Sequence, residues 1–454
     1  MKYAIVLAGG KGTRMQSNKS KVMHEILHKP MIGHLVDHLE MIDTDKIVVV
    51  TGHQHEEVEA YLNGRVEIAY QEEQYGTGDA VSRVNQLRGL EGSTLIVLGD
   101  CALIQPESLA NIFEKHQGND LTVLSAKVAQ PANYRRIVRD NQGYIDRIVD
   151  YRTLTEAEQA INEISLGIYC VNNKLLFKYL DEIKDDPATD EVNIIKLAEI
   201  MKKNGHKIQS LRVDDPEEYF GVNDRMQLLK ASQWLQQKVN LKHMVNGVTI
   251  MDPNTTYIAT EVTIEADAII YPNNHIYGKT SIGAETEILP NCWIENATIG
   301  KKTVIESSKI MNTTIHNNVV VGPNSHLRMN SVVEDGCRIG NFVEFKNTFF
   351  SEGSKCSHLV YLGDTKVGKN VNIGCGVVTV NYDGKHKYQT SIGNNAFIGS
   401  NSNLIAPITI GNDAVIAAGS TVNQNVENGA LAIARSRQEN KPGYGTKYIS
   451  KEGK

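Results

Sequence analysis

Nine residues near the amino end, Leu7-Ala8-Gly9-Gly10-Lys11-Gly12-Thr13-Arg14-Met15, have the composition of a phosphate cradle. Three glycines let backbone N–H groups approach an anion, and Lys11 and Arg14 add positive charge beside it. The run is not a Walker A loop, because no Gly-Lys-[Ser/Thr] closes it. Nor is it the dinucleotide fingerprint, since Met15 stands where a third glycine belongs. Alone, it reads as a glycine turn after a strand. A second group changes that. Gly99-Asp100 closes another compact apolar run and sets a carboxylate at the sheet edge where open α/β folds bind ligands. Asp100 has the chemistry to hold a Mg²⁺ that bridges phosphate oxygens. A third pattern, His24-Glu25-Ile26-Leu27-His28, matches the zinc-protease signature H-E-x-x-H. That motif needs a continuous helix, and Pro30 disfavours one at Lys29. The sequence therefore predicts two surface histidines and no zinc.

The elements that position these groups follow from hydrophobic period. Residues 4–8, 47–51 and 94–99 are short, β-branched runs, as strands buried on both faces should be. Between them, 31–41 and 78–87 have helical spacing, so a mostly parallel sheet with helices on both faces is predicted. A helix over 224–244 leads into a second half with a different period. There, aliphatic residues fall every six: Ile258, Ile264, Ile270, Ile276, Ile282, Ile288, Ile294, and again Ile392, Ile398, Leu404, Ile410, Ile416, Val422. The count slips between Ile299 and Ile315. Six fits neither a helix nor an isolated strand. It fits stacked coils of a parallel β-helix, with one inward aliphatic per flat side. A polar stretch, 381–391, interrupts the repeat as a loop, where binding groups commonly sit.

The 454 residues suffice for two cores, and 41% hydrophobic with 22% charged residues is ordinary for a soluble protein. A net charge of -6, with no basic stripe, argues against nucleic acid as a partner. Six scattered cysteines without a C-x-x-C pair suggest neither zinc nor a disulfide framework. No run approaches the roughly 18 apolar residues of a membrane helix, and the first residues do not form a signal peptide. The compartment predicted is the cytoplasm.

The loop Leu7-x-Gly9-Gly10-x-Gly12-Thr13-Arg14-Met15 followed by Lys21 resembles the sugar-nucleotidyltransferase signature. Joined to hexapeptide repeats, the chain from Lys2 to about Tyr444 resembles the bifunctional N-acetylglucosamine-1-phosphate uridyltransferase/glucosamine-1-phosphate acetyltransferases. The resemblance implies a Rossmann-like α/β domain over 1–226, a helical linker over 227–247 and a left-handed parallel β-helix over 248–454. It implies nucleotide contacts at Leu7, Ala8, Gly9, Gly10, Lys21, Gln71, Gly76, Thr77 and Asn223, with Asp100 and Asn223 as Mg²⁺ ligands. Lys21 and Mg²⁺ would neutralise charge as a sugar phosphate attacks the α-phosphorus of UTP.

In the rear half the resemblance places the substrate phosphate on Arg328 and Lys346, and further substrate contacts on Tyr361 and Asn372. It places acetyl-CoA on Asn381, Tyr382, Ser400, Ala418 and Arg435, and makes His358 the general base. An amine must lose a proton to attack a thioester, and a neutral imidazole near pH 7 suits that task. Implied partners are glucosamine-1-phosphate, N-acetylglucosamine-1-phosphate, UTP and acetyl-CoA, within a homotrimer.

Departures from the family pattern cluster in front. The Gly99-Asp100-Cys101-Ala102-Leu103 run lacks a proline, and Asp79 stands where histidine or another residue is usual. Arg135 replaces a glycine, Asp150 a glutamate and Ser165 an asparagine, while Thr189-Asp190-Glu191-Val192-Asn193 departs from Gln-Gly-Glu-Tyr-Tyr. Arg135 could fill the sugar pocket. Two alternatives therefore stand beside the bifunctional enzyme. One is an acetyltransferase whose front domain is weakened or altered in sugar choice. The other is a different nucleotidyltransferase with the β-helix as an oligomerisation scaffold, which leaves Arg328, Lys346, His358 and Tyr361 unexplained.

Overall fold

The computed structural model describes residues 1–183 and 191–449. Thr189, Asp190 and positions 450–454 of the expected rear domain lie outside the described residues. Two compact units, Met1–Leu235 and Gln236–Lys454, divide the chain. The division falls inside the helix Arg225–Val245, so that helix belongs in part to each.

In the front unit the strand Lys2–Leu7 lies between Lys46–Thr51 and Ser93–Leu98, parallel to both. Its residues alternate between two cores. Ala4 and Val6 pack on one face and Tyr3 and Ile5 on the other, as the two-residue strand period requires. Burial on both faces is why the run is apolar throughout. Glu67–Tyr70 extends the parallel set. Beyond Ser93–Leu98, Glu163–Asn172 runs antiparallel, and Leu121–Lys127 pairs antiparallel with it. The sheet is mixed at that end, because strand direction depends on how the chain crosses over and not on side-chain period.

The helix Met31–Met41 forms as predicted. The one expected over 78–87 forms only as Thr77–Ser82. Val81, Val84 and Leu87 are all fully buried, so helical spacing of apolar residues continues past the last helical turn. The H-E-x-x-H run is no helix. Glu25–Ile26 and Lys29–Pro30 form a tight antiparallel pair, with Leu27 and His28 in the left-handed region at φ 48 and 67. Only His28 is on the surface. His24 is buried, and its Nδ1 meets Arg225 Nη1 at 3.2 Å; burial and the Arg225 charge push its pKa down.

In the rear unit every strand ladder is parallel, in keeping with the expected left-handed parallel β-helix. Ile258 pairs with Ile276 and Ile276 with Ile294, eighteen residues on at each step. That is three flat sides of six. Ile294 pairs with Ile310 and Ile299 with Ile315 after only sixteen, which is where the six-residue count slips. Inward Ile258, Ile276, Ile294 and Phe345 are fully buried. A Cβ on Gly340 would collide with the Ser357 carbonyl oxygen of the next coil, so the corner there requires glycine. The open end of the first coil is closed by Gln236 and Asn240, whose amide nitrogens donate to the Thr256 carbonyl at 2.9 Å each. Among the described residues no helix is long and apolar enough to cross a membrane.

Candidate active sites

The parallel strands of the front unit all end at one edge, and the segments leaving them line a cavity of 350 Å³. Leu7, Ala8, Gly9 and Gly10 follow the first strand, Gln71 follows Glu67–Tyr70, and Asp100 follows Ser93–Leu98. Lys21, Gly76, Thr77 and Asn223 complete the wall. Every front-half position implied by the resemblance therefore faces this one cavity. Gly76 has φ 122, and a Cβ there would meet the Val192 carbonyl oxygen. Glycine allows the turn before Thr77 to lie flat against residues 191–193. Thr77 Oγ1 in turn donates to Asn193 Oδ1 at 3.0 Å.

Lys21 Nζ donates to Asp100 Oδ2 and, at 3.3 Å, to Asn223 Oδ1; Arg14 Nη2 reaches the same Asn223 oxygen at 2.9 Å. Gly221 leaves room for this arrangement, since a Cβ there would lie 2.6 Å from Asp100 Oδ1. Two protein oxygens thus converge on one cation. Mg²⁺ is commonly held by one or two protein oxygens together with substrate phosphate and water, so Asp100 and Asn223 fit such an ion, with the Lys21 ammonium as its stand-in.

Tyr134, Leu166 and Glu191 also line the cavity. Arg135 does not line it. Its Nε instead faces Asp150 Oδ2 at 3.4 Å. Arg152 binds the same carboxylate, with Nε 2.8 Å and backbone N 3.1 Å from Oδ1. Burial opposes the Asp150 charge, but the Arg152 hydrogen bonds and the two guanidinium charges outweigh it and hold its pKa down. Arg135 is thus drawn off the pocket, and Asp150 is saturated by arginine. Ser165 is buried in register with Arg135. Glu191 was missed as a cavity residue, although it lies inside the run singled out as atypical.

In the rear unit the candidate groups lie on successive coils. Arg328, Lys346 and Gly363 are register neighbours. Arg328 Nε and Nη2 donate to Glu344 Oε1 at 2.9 and 2.7 Å, and Glu344 pairs in register with Tyr361. Asp364 Oδ2 accepts from Asn381 Nδ2 at 2.6 Å and lies 3.9 Å from Lys346 Nζ. Burial, then the Glu344 charge, raises the Tyr361 pKa.

His358 is exposed on the strand Lys355–Gly363, with Nδ1 3.0 Å from Asn341 Oδ1 on the coil before. His358 and Tyr361 are three residues apart, so strict alternation would turn one of them inward. Leu359 has φ 43 and resets the alternation; both side chains then stay outside while Val360 and Leu362 are buried. Phe342, at φ 57, does the same between Asn341 and Glu344.

Ser400 and Ala418 follow His358 along one corner of successive coils. Gly376 N donates to the Leu359 carbonyl, Asn401 N to that of Cys375, and Gly419 N to that of Ser400, at 2.7–2.8 Å. Arg435 lies just beyond, its Cδ 3.8 Å from where a Gly419 Cβ would stand. Asn372 is exposed and pairs in register with Lys355. Tyr382 opens the inserted loop and bridges to Lys387. Lys387 is a group the sequence did not single out. The positive charge of Lys387, ahead of burial, pushes the Lys346 pKa down. Nothing in the local sequence of a polar loop marks which lysine folds back onto the coil.

A cavity at the edge of an α/β sheet and a row of polar groups on a hexapeptide β-helix define a two-unit transferase. Residues 4–158 match the MobA-like NTP transferase domain, and 312–347 and 389–424 match the bacterial transferase hexapeptide repeat. Proteins named bifunctional protein GlmU are similar over the whole length. The one from Geobacillus sp. (strain WCH70) is 45% identical over 446 residues, 98% of this chain and 97% of that one. Those of Listeria monocytogenes serotype 4a (strain HCC23) and Halalkalibacterium halodurans are each 42% identical, covering 98% of this chain and 98% and 99% of theirs. The chain belongs to the GlmU family of bifunctional proteins, and is an enzyme with nucleotidyltransferase and acyltransferase units.

Proposed function

We propose that the rear unit transfers acetyl from acetyl-CoA to the amine of glucosamine-1-phosphate. The front unit then joins the product, N-acetylglucosamine-1-phosphate, to the uridylyl group of UTP and releases pyrophosphate. The observation that carries this reading is the convergence of Lys21, Asp100 and Asn223 on one cation position inside the glycine-lined cavity. Arg14 and Lys21 hold the phosphates there, and Gln71 with the Gly76-Thr77 turn meets the base. Mg²⁺ on Asp100 and Asn223 would neutralise phosphate charge as the new bond forms.

In the rear unit Arg328, Lys346 and Lys387 hold the sugar phosphate. His358 takes the amine proton at Nε2 while Asn341 holds Nδ1–H. Asn381, Tyr382, Ser400, Ala418 and Arg435 receive acetyl-CoA. The enzyme works as a cytoplasmic homotrimer in which a neighbouring chain completes the acetyltransferase groove. Arg135 faces Asp150 and does not line the front cavity, which favours the full bifunctional enzyme over a disabled front unit.

Two assays on a preparation that scatters light at trimer mass test this. Thiol is released from acetyl-CoA only with glucosamine-1-phosphate, and pyrophosphate from UTP only with N-acetylglucosamine-1-phosphate. Thiol release without pyrophosphate selects the altered front unit, and the reverse selects the scaffold reading. Replacing Lys387 by methionine raises KM for glucosamine-1-phosphate by roughly tenfold with little change in kcat, the scale of one charged hydrogen bond. In the intact enzyme that KM climbs as pH rises through the depressed Lys346 pKa, because a phosphate-binding cation is lost. An unchanged KM in Lys387→Met places the phosphate elsewhere.

A further inference from the structure

Asp79 follows the Gly76-Thr77-Gly78 turn at the cavity wall and is buried. One of its oxygens, Oδ2, accepts from Gln71 Nε2 at 2.7 Å, and the other, Oδ1, accepts from Arg83 Nη2 at 2.6 Å. Gln71 Nε2 also donates to the Gly76 carbonyl at 3.2 Å. Both partners of that end of the Gln71 amide are acceptors only. A flipped amide would set its own oxygen against a carboxylate and a carbonyl, so one orientation is enforced. The opposite end, Oε1, is left beside Gly9, 3.1 Å from where a Cβ would stand, and both Gln71 and Gly9 line the cavity.

We propose that Asp79, anchored by Arg83, is a positioning residue that fixes Gln71 as a hydrogen-bond acceptor and thereby makes the front site select a pyrimidine with an imide N–H over one with a bare ring nitrogen. The proposal rests on the nucleotide reading of the cavity. Uracil offers a donor at N3; cytosine offers a lone pair there, which would meet Oε1 as acceptor against acceptor. A site built around one donor–acceptor match rejects the mismatched analogue strongly, because a buried polar group is left unpaired.

The test is Asp79→Asn, read as kcat/KM for UTP and for CTP with N-acetylglucosamine-1-phosphate. In that variant Arg83 holds the oxygen of the new side-chain amide, so its NH₂ meets Gln71 Nε2 donor against donor at the closer, 2.7 Å contact and turns the Gln71 amide around against the weaker, 3.2 Å restraint of the Gly76 carbonyl. The expected result is a loss of roughly 10–100-fold with UTP, a gain relative to that with CTP, and a fall in the UTP/CTP ratio of at least roughly tenfold. Acetyl transfer by the same variant stays at the wild-type rate, which reports an intact fold. A UTP/CTP ratio within threefold of wild type, at whatever overall rate, overturns the role of Asp79 while the nucleotide site stands. A wild-type enzyme that turns over neither nucleotide would instead overturn the nucleotide reading itself.

Discussion

Replacing His358 by alanine lowers acetyl transfer by roughly 10²–10⁴-fold, the scale of a lost general base, and leaves pyrophosphate release from UTP unchanged. The asymmetry follows from the chain's division into two compact units, with His358 deep in the sequence of the second. His358 is exposed and bonded through Nδ1 to Asn341 at 3.0 Å, so its removal opens no cavity in the aliphatic core. The loss should therefore appear in kcat, with KM for glucosamine-1-phosphate nearly constant, because the groups proposed to hold the phosphate, Arg328, Lys346 and Lys387, are untouched. Steady-state thiol release, run beside a pyrophosphate assay on the same sample, reads both. Equal loss of the two activities would mean misfolding, and retained acetyl transfer would remove imidazole 358 from the chemistry.

Replacing Asp100 by alanine does the opposite. Pyrophosphate release falls by roughly 10²–10³-fold, the cost of one preorganised charge-stabilising group, and acetyl transfer continues. Asp100 is buried, and its carboxylate lies against the Lys21 ammonium. Two things are thus lost together, the oxygen proposed to bind Mg²⁺ and the carboxylate that meets the Lys21 ammonium. Titration with Mg²⁺ separates them. Weaker metal binding moves the half-saturating Mg²⁺ concentration upward, whereas displacement of Lys21 alone lowers the maximal rate at the same concentration. Unchanged pyrophosphate release at limiting Mg²⁺ would take Asp100 out of the metal site.

The candidate site was legible to different depths in the two halves. The glycine loop and Asp100 stood out because strand ends at a parallel sheet's edge are few, and their residue types are unusual there. The sheet edge gathers Leu7, Gln71 and Asp100, which are far apart in sequence, because parallel strands bring all their carboxyl ends to one side. What Arg135 does could not be read. A guanidinium beside a former glycine looks like an obstruction until Asp150 is seen 3.4 Å from its Nε. The H-E-x-x-H run shows the limit of a motif without its element, since Leu27 and His28 turn the chain where a helix was needed.

By itself the sequence determined the two architectures, since short β-branched runs alternating with helical spacing in front, and a six-residue aliphatic period behind, are properties of side-chain order alone. It also determined which residue types were available for phosphate, metal and proton chemistry. Only the tertiary structure decided which of them meet. The inserted loop brings the Lys387 charge to bear on Lys346, and Asp79 dictates the face of Gln71 from a buried position. His358 shares the outer face with Tyr361 because one residue between them takes a left-handed turn. Such contacts depend on backbone dihedrals and on which carbonyls and carboxylates surround an amide, and neither is written in periodicity.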